Sequence, residues 1–178
     1  GQYHAAVDAT RYSSVPVPNG DYYINAFALD SSGIDMPGGS TNDGTRPQLY
    51  QANGTAAQQY RFTRQSNGSY VIVNVRSGKA LDVAGANAGN GAVVQQWDPN
   101  GTQAQQWYVR DSGAGYYLQS ALGDWVLDLA WGGLSNGTSA WLYAPNDTAT
   151  QKFLLSSTST GVPTDAPVSI SSALNAAL

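Results

Sequence analysis

The chain has 178 residues, a net charge of −4, and 8 Lys or Arg against 12 acidic residues, all of them Asp. With 11% charged residues and an acidic balance it is a poor match for nucleic acid or an anionic membrane, which select dense basic patches. The absence of Cys excludes a disulfide framework and thiol chemistry, and no apolar run approaches the roughly 18 residues that a membrane span needs. Abundant amides and hydroxyls, with 5 Trp and 11 Tyr, suit a neutral polar ligand needing directional hydrogen bonds and a flat apolar surface. A sugar meets that description, and an ordinary secreted β-domain shares the composition.

The length fits one domain with short extensions. Residues 1–20 form an N-terminal flank in which Pro16 and Pro18 disfavour a central strand, and the lone His4 reads as a surface residue. Short apolar or alternating runs then follow: YYINAF from 22, QQYRFT from 58, SYVIVNV from 69, VVQQW from 93, QQWYV from 105, GYYLQS from 115 and QKFLLS from 151. NG, DG, GG and PN turns separate them, the pattern of an all-β sandwich or barrel. Asn53, Asn67, Asn100, Asn136 and Asn146 each open an N-x-Ser/Thr triplet, which reads first as a turn. Residues 157–178, with Pro163, Pro167 and the ending SISSALNAAL, read as a C-terminal flank or linker.

Between the flanks, residues 21–156 hold a threefold repeat. Asp35, Asp82 and Asp128 stand 47 and 46 residues apart. From each Asp, a turn Gly follows at plus 9 (Gly44, Gly91, Gly137) and an aromatic at plus 15 (Tyr50, Trp97, Tyr143). An Asn follows at plus 18 (Asn53, Asn100, Asn146), a Gln at plus 23 (Gln58, Gln105, Gln151) and a second aromatic at plus 25 (Tyr60, Trp107, Phe153). Each copy holds about four strand-like pieces, giving roughly twelve strands. Units this short share a core, either by closing round a pseudo-threefold axis or by stacking; the lack of polar caps favours closure.

The two aromatics of each copy differ in kind. Tyr60, Trp107 and Phe153 alternate with Phe62, Val109 and Leu155, so one strand face is apolar throughout and reads as core. The Gln two residues before each is expected to satisfy backbone groups of a neighbouring hairpin. Tyr50, Trp97 and Tyr143 stand directly before turns and are never Phe, which suits a ring with one wet edge. If the hairpins gather Asp, ring and Asn, each copy presents a carboxylate, a flat face and an amide to a pyranose. The alternative leaves Asp and Asn as turn caps and the ring at the rim.

The pattern L-D-V-x-G, V-Q-Q-W, N-G-T and Q-x-W, repeated three times, resembles the ricin-type β-trefoil lectins, including the family-13 carbohydrate-binding modules. That resemblance implies a β-trefoil: a six-stranded barrel closed by three hairpins, with one sugar pocket per lobe. It assigns the pockets to Asp35, Tyr50 and Asn53; Asp82, Gln95, Trp97 and Asn100; and Asp128, Tyr143 and Asn146. Gln95 is replaced by Gln48 in the first copy and by Trp141 in the third. The Asn that many relatives place before the Q-x-W Gln is Ala57, Ala104 or Thr150 here. Met36-Pro37 follows the Asp of the first lobe, and Trp125, Trp131 and Trp141 cluster in sequence around Asp128, to widen a stacking platform or to plug the pocket.

One His and no Glu or Cys leave little for catalysis, and neither close Asp pair (Asp30 with Asp35, Asp124 with Asp128) recurs in all three copies. No Ca²⁺-loop motif is present. The expectation is therefore non-catalytic carbohydrate binding, of galactose-like residues or a plant or glycan polysaccharide, with no cofactor, no metal, no nucleic acid and no membrane insertion. By the resemblance it is secreted or cell-surface, bacterial, and a candidate appendage to a catalytic domain in a longer protein. The competing expectation is a structural or protein-interaction trefoil that has lost its pockets.

Overall fold

The seven runs named above all become strands, and five further strands complete the set. The computed structural model describes residues 13–158 and contains β1 (Gly20–Ala26), β2 (Leu29–Asp35), β3 (Gln48–Gln51), β4 (Gln59–Arg64), β5 (Tyr70–Asn74) and β6 (Ala80–Val83). The rest are β7 (Val94–Trp97), β8 (Trp107–Asp111), β9 (Tyr116–Ser120), β10 (Val126–Leu129), β11 (Ala140–Tyr143) and β12 (Phe153–Ser157). His4 and most of both flanks lie outside the described residues. All pairings are antiparallel, so short hairpin turns suffice as connections.

Six strands form a closed ring in which β1 pairs with β4, β4 with β5, β5 with β8, β8 with β9, β9 with β12, and β12 with β1. Three hairpins, β2–β3, β6–β7 and β10–β11, cap one end. This is a β-trefoil, with one hairpin and two ring strands to each lobe. Closure removes the open edges that such short strands would otherwise expose.

Tyr60, Trp107 and Phe153 meet inside the barrel, fully buried, among Ile24, Ile72 and Leu118. Trp107 brings a polar atom with it, and its Nε1 donates to the carbonyl of Leu81 at 3.0 Å. Ile34, Leu81 and Leu127, each preceding a repeat Asp, fill the layer beneath the hairpins. Met36 belongs to that core and Pro37 opens a 3-10 turn, so neither intrudes on the first lobe's pocket. Residues 13–19 of the N-terminal flank are held closely: Val15 N–H donates to Val109 O at 2.9 Å, Val17 is buried, and the Tyr70 hydroxyl donates to Val17 O at 2.6 Å.

The repeat glycines lock the lobes together. Gly44 N–H donates to Gln96 O of the second lobe, Gly91 N–H to Leu142 O of the third, and Gly137 N–H to Leu49 O of the first. The reverse bonds, Gln96 N–H to Thr45 O, Leu142 N–H to Ala92 O and Leu49 N–H to Thr138 O, complete each latch. The residue before each Gly adds a third bond, since Asp43, Asn90 and Asn136 accept from Asp98, Ala144 and Gln51 N–H at 3.0, 2.8 and 2.9 Å. The latches run from first lobe to second, second to third and third to first. Lys79 reinforces the first, 3.1 Å from Asp43 and 2.6 Å from Asp98.

Candidate functional site

Strand register sets each site. Asp35 lies directly across from Gln48, Asp82 from Gln95, and Asp128 from Trp141. Alternation returns Tyr50, Trp97 and Tyr143 to the same face two residues later. Gln48 and Gln95 each donate Nε2 to an Asp Oδ2 at 2.8 Å, and Trp141 Nε1 does the same to Asp128 at 3.0 Å. Tyr50 and Trp97 are 40% and 41% exposed, well placed to present a ring face to a ligand.

The Gln of each Q-x-W clamps the loop that carries the site Asn. Gln58, Gln105 and Gln151 accept from the N–H of Asn53, Asn100 and Asn146 at 3.0, 2.8 and 2.8 Å. Each also donates Nε2 to a carbonyl at 2.9 Å, on Gln51, Asp98 and Ala144 respectively. These partners are in the glutamine's own repeat rather than in a neighbouring hairpin, because the chain doubles back on itself between the two aromatics. The Asn Oδ1 in turn accepts from both the N–H and the hydroxyl of Thr55, Thr102 or Thr148. Asn therefore does start the turn, as N-x-Thr suggests. Its Nδ2 has no hydrogen-bond partner among the described residues.

Burial pushes the carboxyls of Asp35, Asp82 and Asp128 above the usual carboxylate range, and the Gln or Trp hydrogen bonds pull part of the way back. Each is a desolvated acceptor held in place by its donor across the hairpin.

In the first lobe, Asp35, Gln48, Tyr50 and Asn53 line an open cavity of about 480 Å³, bordered by Arg76 from the β5–β6 turn. In the second, Asp82, Gln95, Trp97 and Asn100 line one of about 410 Å³. The latch glycines stand behind these walls: a Cβ on Gly44 would lie 3.9 Å from Gln95 Oε1, and one on Gly137 would lie 4.0 Å from Gln48 Oε1. In the third lobe Thr150 adds a second hydrogen bond to Asp128, from Oγ1 to Oδ1 at 2.9 Å. Trp141 packs between Trp131 and Tyr143, with ring centroids 5.1 and 5.8 Å away, while Trp125 packs on the barrel core.

A family model described as "Ricin-type beta-trefoil lectin domain-like" matches residues 56–143. ThreeFoil, a designed threefold-symmetric protein, has 32% identity and a TM-score of 0.74 over 76% of this chain and 97% of its own. The chain belongs to the ricin-type β-trefoil lectin family. The Rhizoctonia solani agglutinin, at 24% identity, aligns with a TM-score of 0.72 over 80% of this chain and 98% of its own. The exo-β-1,3-galactanase 1,3Gal43A of Clostridium thermocellum, at 26% identity, has a TM-score of 0.72 over 79% of this chain and 30% of its own. No curated protein matches the chain. Membership gives this ricin-type trefoil the general function of a carbohydrate-binding lectin, and domains of this kind are non-catalytic.

The ricin-type trefoil thus brings together Asp35 with Tyr50 and Asn53, and Asp82 with Gln95, Trp97 and Asn100, each set around one cavity. Asp128 and Tyr143 share the third hairpin, where Trp141 lies between them. Thr150, which stands where many relatives have an Asn and where the other two copies have Ala57 and Ala104, is the residue that bonds Asp128. One set of contributors is not legible in sequence. Asp43, Asn90 and Asn136 recur at plus 8 from each Asp and build the latches, but a polar residue before a turn Gly reads as turn chemistry alone. Among the described residues no group of three or more His, Cys, Asp or Glu side chains could hold a metal, and no helix is long and apolar enough to cross a membrane.

Proposed function

We propose that the first two lobes bind a neutral sugar through Asp, ring and Asn, with the second lobe the stronger site. The sugar's apolar C–H face stacks on Trp97, a hydroxyl donates to the Asp82 carboxylate, and Asn100 Nδ2 donates to an adjacent hydroxyl oxygen. The observation that carries this reading is the convergence of Asp82, Gln95, Trp97 and Asn100 on one cavity, with Gln95 fixing the carboxylate at 2.8 Å. Asp35, Tyr50 and Asn53 repeat the set in the first lobe. Asp128, Tyr143 and Asn146 hold the corresponding positions in the third.

Galactose-like residues are the first sugars to test, a choice supported by the likeness to a galactanase. The matched stretch is 30% of that enzyme's chain, which supports a role beside a catalytic domain in a longer protein. In that setting the trefoil keeps an enzyme near its polymer, and several weak lobes raise avidity. A secreted or cell-surface location suits such a partner. The relatives named above include a fungal, a bacterial and a designed protein, so they give no preference for a bacterial source.

Calorimetric titration with a methyl β-galactoside and with xylan, on wild type and on the Trp97→Ala and Asp82→Ala variants, tests the reading. Weak binding that either substitution reduces is expected. Binding unchanged in both variants, or absent from wild type, overturns the second-lobe site and favours a structural or protein-interaction module.

A further inference from the structure

The third residue after each site Asp adopts left-handed backbone. In the first two lobes it is glycine, Gly38 at φ 61° and Gly85 at φ 62°, and both line the cavities. In the third it is Trp131, at φ 60° and ψ 20°. An L side chain there crowds its own carbonyl, which is why glycine is the usual occupant. Burial does not offset that strain, because Trp131 is 89% exposed, the most exposed large apolar side chain among the described residues. Its one ring contact among the described residues is with Trp141, itself on the surface of the same hairpin, so the strained backbone holds an indole out toward solvent, as a binding surface requires.

Its neighbours supply the rest. Trp131 and Trp141 lie 5.1 Å apart with planes at 57°, and Trp141 and Tyr143 lie 5.8 Å apart at 29°, so three rings stand in a row. Beneath them both Asp128 oxygens already accept hydrogen bonds, from Trp141 and from Thr150. The first two lobes have Ala57 and Ala104 in place of Thr150 and so lack its hydroxyl donor. The third lobe has more ring surface and a more fully occupied carboxylate than its siblings.

We propose that the third lobe binds a neutral polysaccharide chain across Trp131, Trp141 and Tyr143, by stacking of consecutive sugar faces rather than by capture of one sugar on the Asp128 carboxylate. This rests on the lectin reading above and concerns how one lobe engages its ligand. A polymer is the fitting occupant because one pyranose covers one ring, whereas consecutive sugars cover a row. The row is also continuous with Tyr143, which occupies the position that Tyr50 and Trp97 hold at the other two cavities.

The test uses the full chain, with Asp35→Ala and Asp82→Ala combined to silence the first two lobes, and with Trp131→Gly added to that background and to wild type. Binding of soluble xylan and galactan is read by affinity electrophoresis, binding of a methyl β-galactoside by calorimetry, and folding by thermal denaturation. The double variant should lose the galactoside and still be retarded by at least one polymer. Adding Trp131→Gly should weaken that polymer binding by about tenfold or more, the loss of one well-covered aromatic. Its melting temperature should be unchanged or raised, because glycine relieves the backbone. Polymer binding that is absent from the double variant, or indifferent to Trp131→Gly in both backgrounds, overturns the proposal and leaves the second-lobe reading intact. Galactoside binding by wild type that survives Asp82→Ala in full would instead count against the second-lobe reading.

Discussion

Trp141 Nε1 donates to Asp128 Oδ2 at 3.0 Å, from the strand position at which Gln48 and Gln95 reach Asp35 and Asp82 at 2.8 Å. Three hairpins thus solve one problem, holding a buried carboxylate in a fixed pose, with two different side chains. An amide and an indole share little except an N–H at a suitable reach. Because the register places the donor across from the Asp, replacing glutamine by tryptophan keeps the bond while changing the surface above it.

Trp141→Phe keeps a ring and deletes the donor. Burial already raises the Asp128 pKa and the Trp141 bond opposes that rise, so the variant should titrate still higher. A carboxyl titration followed by NMR reads the shift directly. An Asp128 pKa that stays put or falls in Trp141→Phe would show that the indole N–H does not support the carboxylate.

The pH dependence of stability follows from the same groups. Asp35, Asp82 and Asp128 all titrate above the value of 3.8 expected in an unfolded chain, with desolvation as the main cause. The folded state therefore holds more protons than the unfolded state between 3.8 and the raised values. Stability from these groups is fully present below that window and declines as pH rises through it. Sugar affinity should run the other way, rising with pH as the carboxylates ionise to accept hydroxyls. Urea midpoints across the acidic range should fall less steeply for Asp82→Asn than for wild type; an equal or steeper fall would contradict the assignment.

Gly91 joins the second lobe to the third, and its replacement should be costly. Its φ is 77°, its N–H donates to Leu142 O at 2.7 Å, and an added Cβ would meet the Trp141 ring at 3.4 Å. Gly91→Ala is expected to lose about 1–2 kcal/mol from the left-handed backbone alone. Gly89→Ala is the control, since that residue is not in the left-handed region and an added methyl there would find nothing within 4 Å. Denaturant unfolding should show the first variant weakened and the second close to wild type.

Tyr60 tests the barrel interior. Its hydroxyl is fully buried and makes no hydrogen bond of normal geometry among the described residues; the nearby Asn74 side chain only partly opposes the burial that holds its phenol far above the ordinary value. A buried hydroxyl without a partner costs about 1–3 kcal/mol, so Tyr60→Phe should be neutral or stabilising. Thermal unfolding checks this, and a marked loss of stability would mean that the hydroxyl makes a contact of real value.

The residues legible in sequence are those whose side-chain type follows from burial or from exposure at a turn. Trp107 declares itself core through Val109 and the matching Tyr60 and Phe153, and all four are buried in the barrel. Trp97 declares itself exposed by standing before a turn, and it is. The third lobe is harder to read, because spacing cannot reveal that an indole N–H reaches where an amide does. Trp131 hides its strain for a similar reason: φ belongs to the backbone, and only the alignment with Gly38 and Gly85 points to it. The latch residues Asp43, Asn90 and Asn136 look like turn chemistry because their partners lie in another lobe, some 50 residues or more away in sequence. Val17 sits between Pro16 and Pro18 in a flank that reads as unsuited to a central strand, yet it is buried, because prolines exclude only the ladder, not the core.

In the proposed function the two Gln-Gln-Trp triplets of the second lobe do different work, Trp97 meeting a sugar and Trp107 holding the barrel. The indole N–H resonances of the five Trp residues, followed while a β-galactoside or a xylan oligosaccharide is added, separate them in one experiment. A saturable shift of the Trp97 resonance, lost in Asp82→Ala, is expected, with Trp107 unmoved. A Trp97 resonance indifferent to every sugar tried, or shifting equally in Asp82→Ala, would contradict the proposed function.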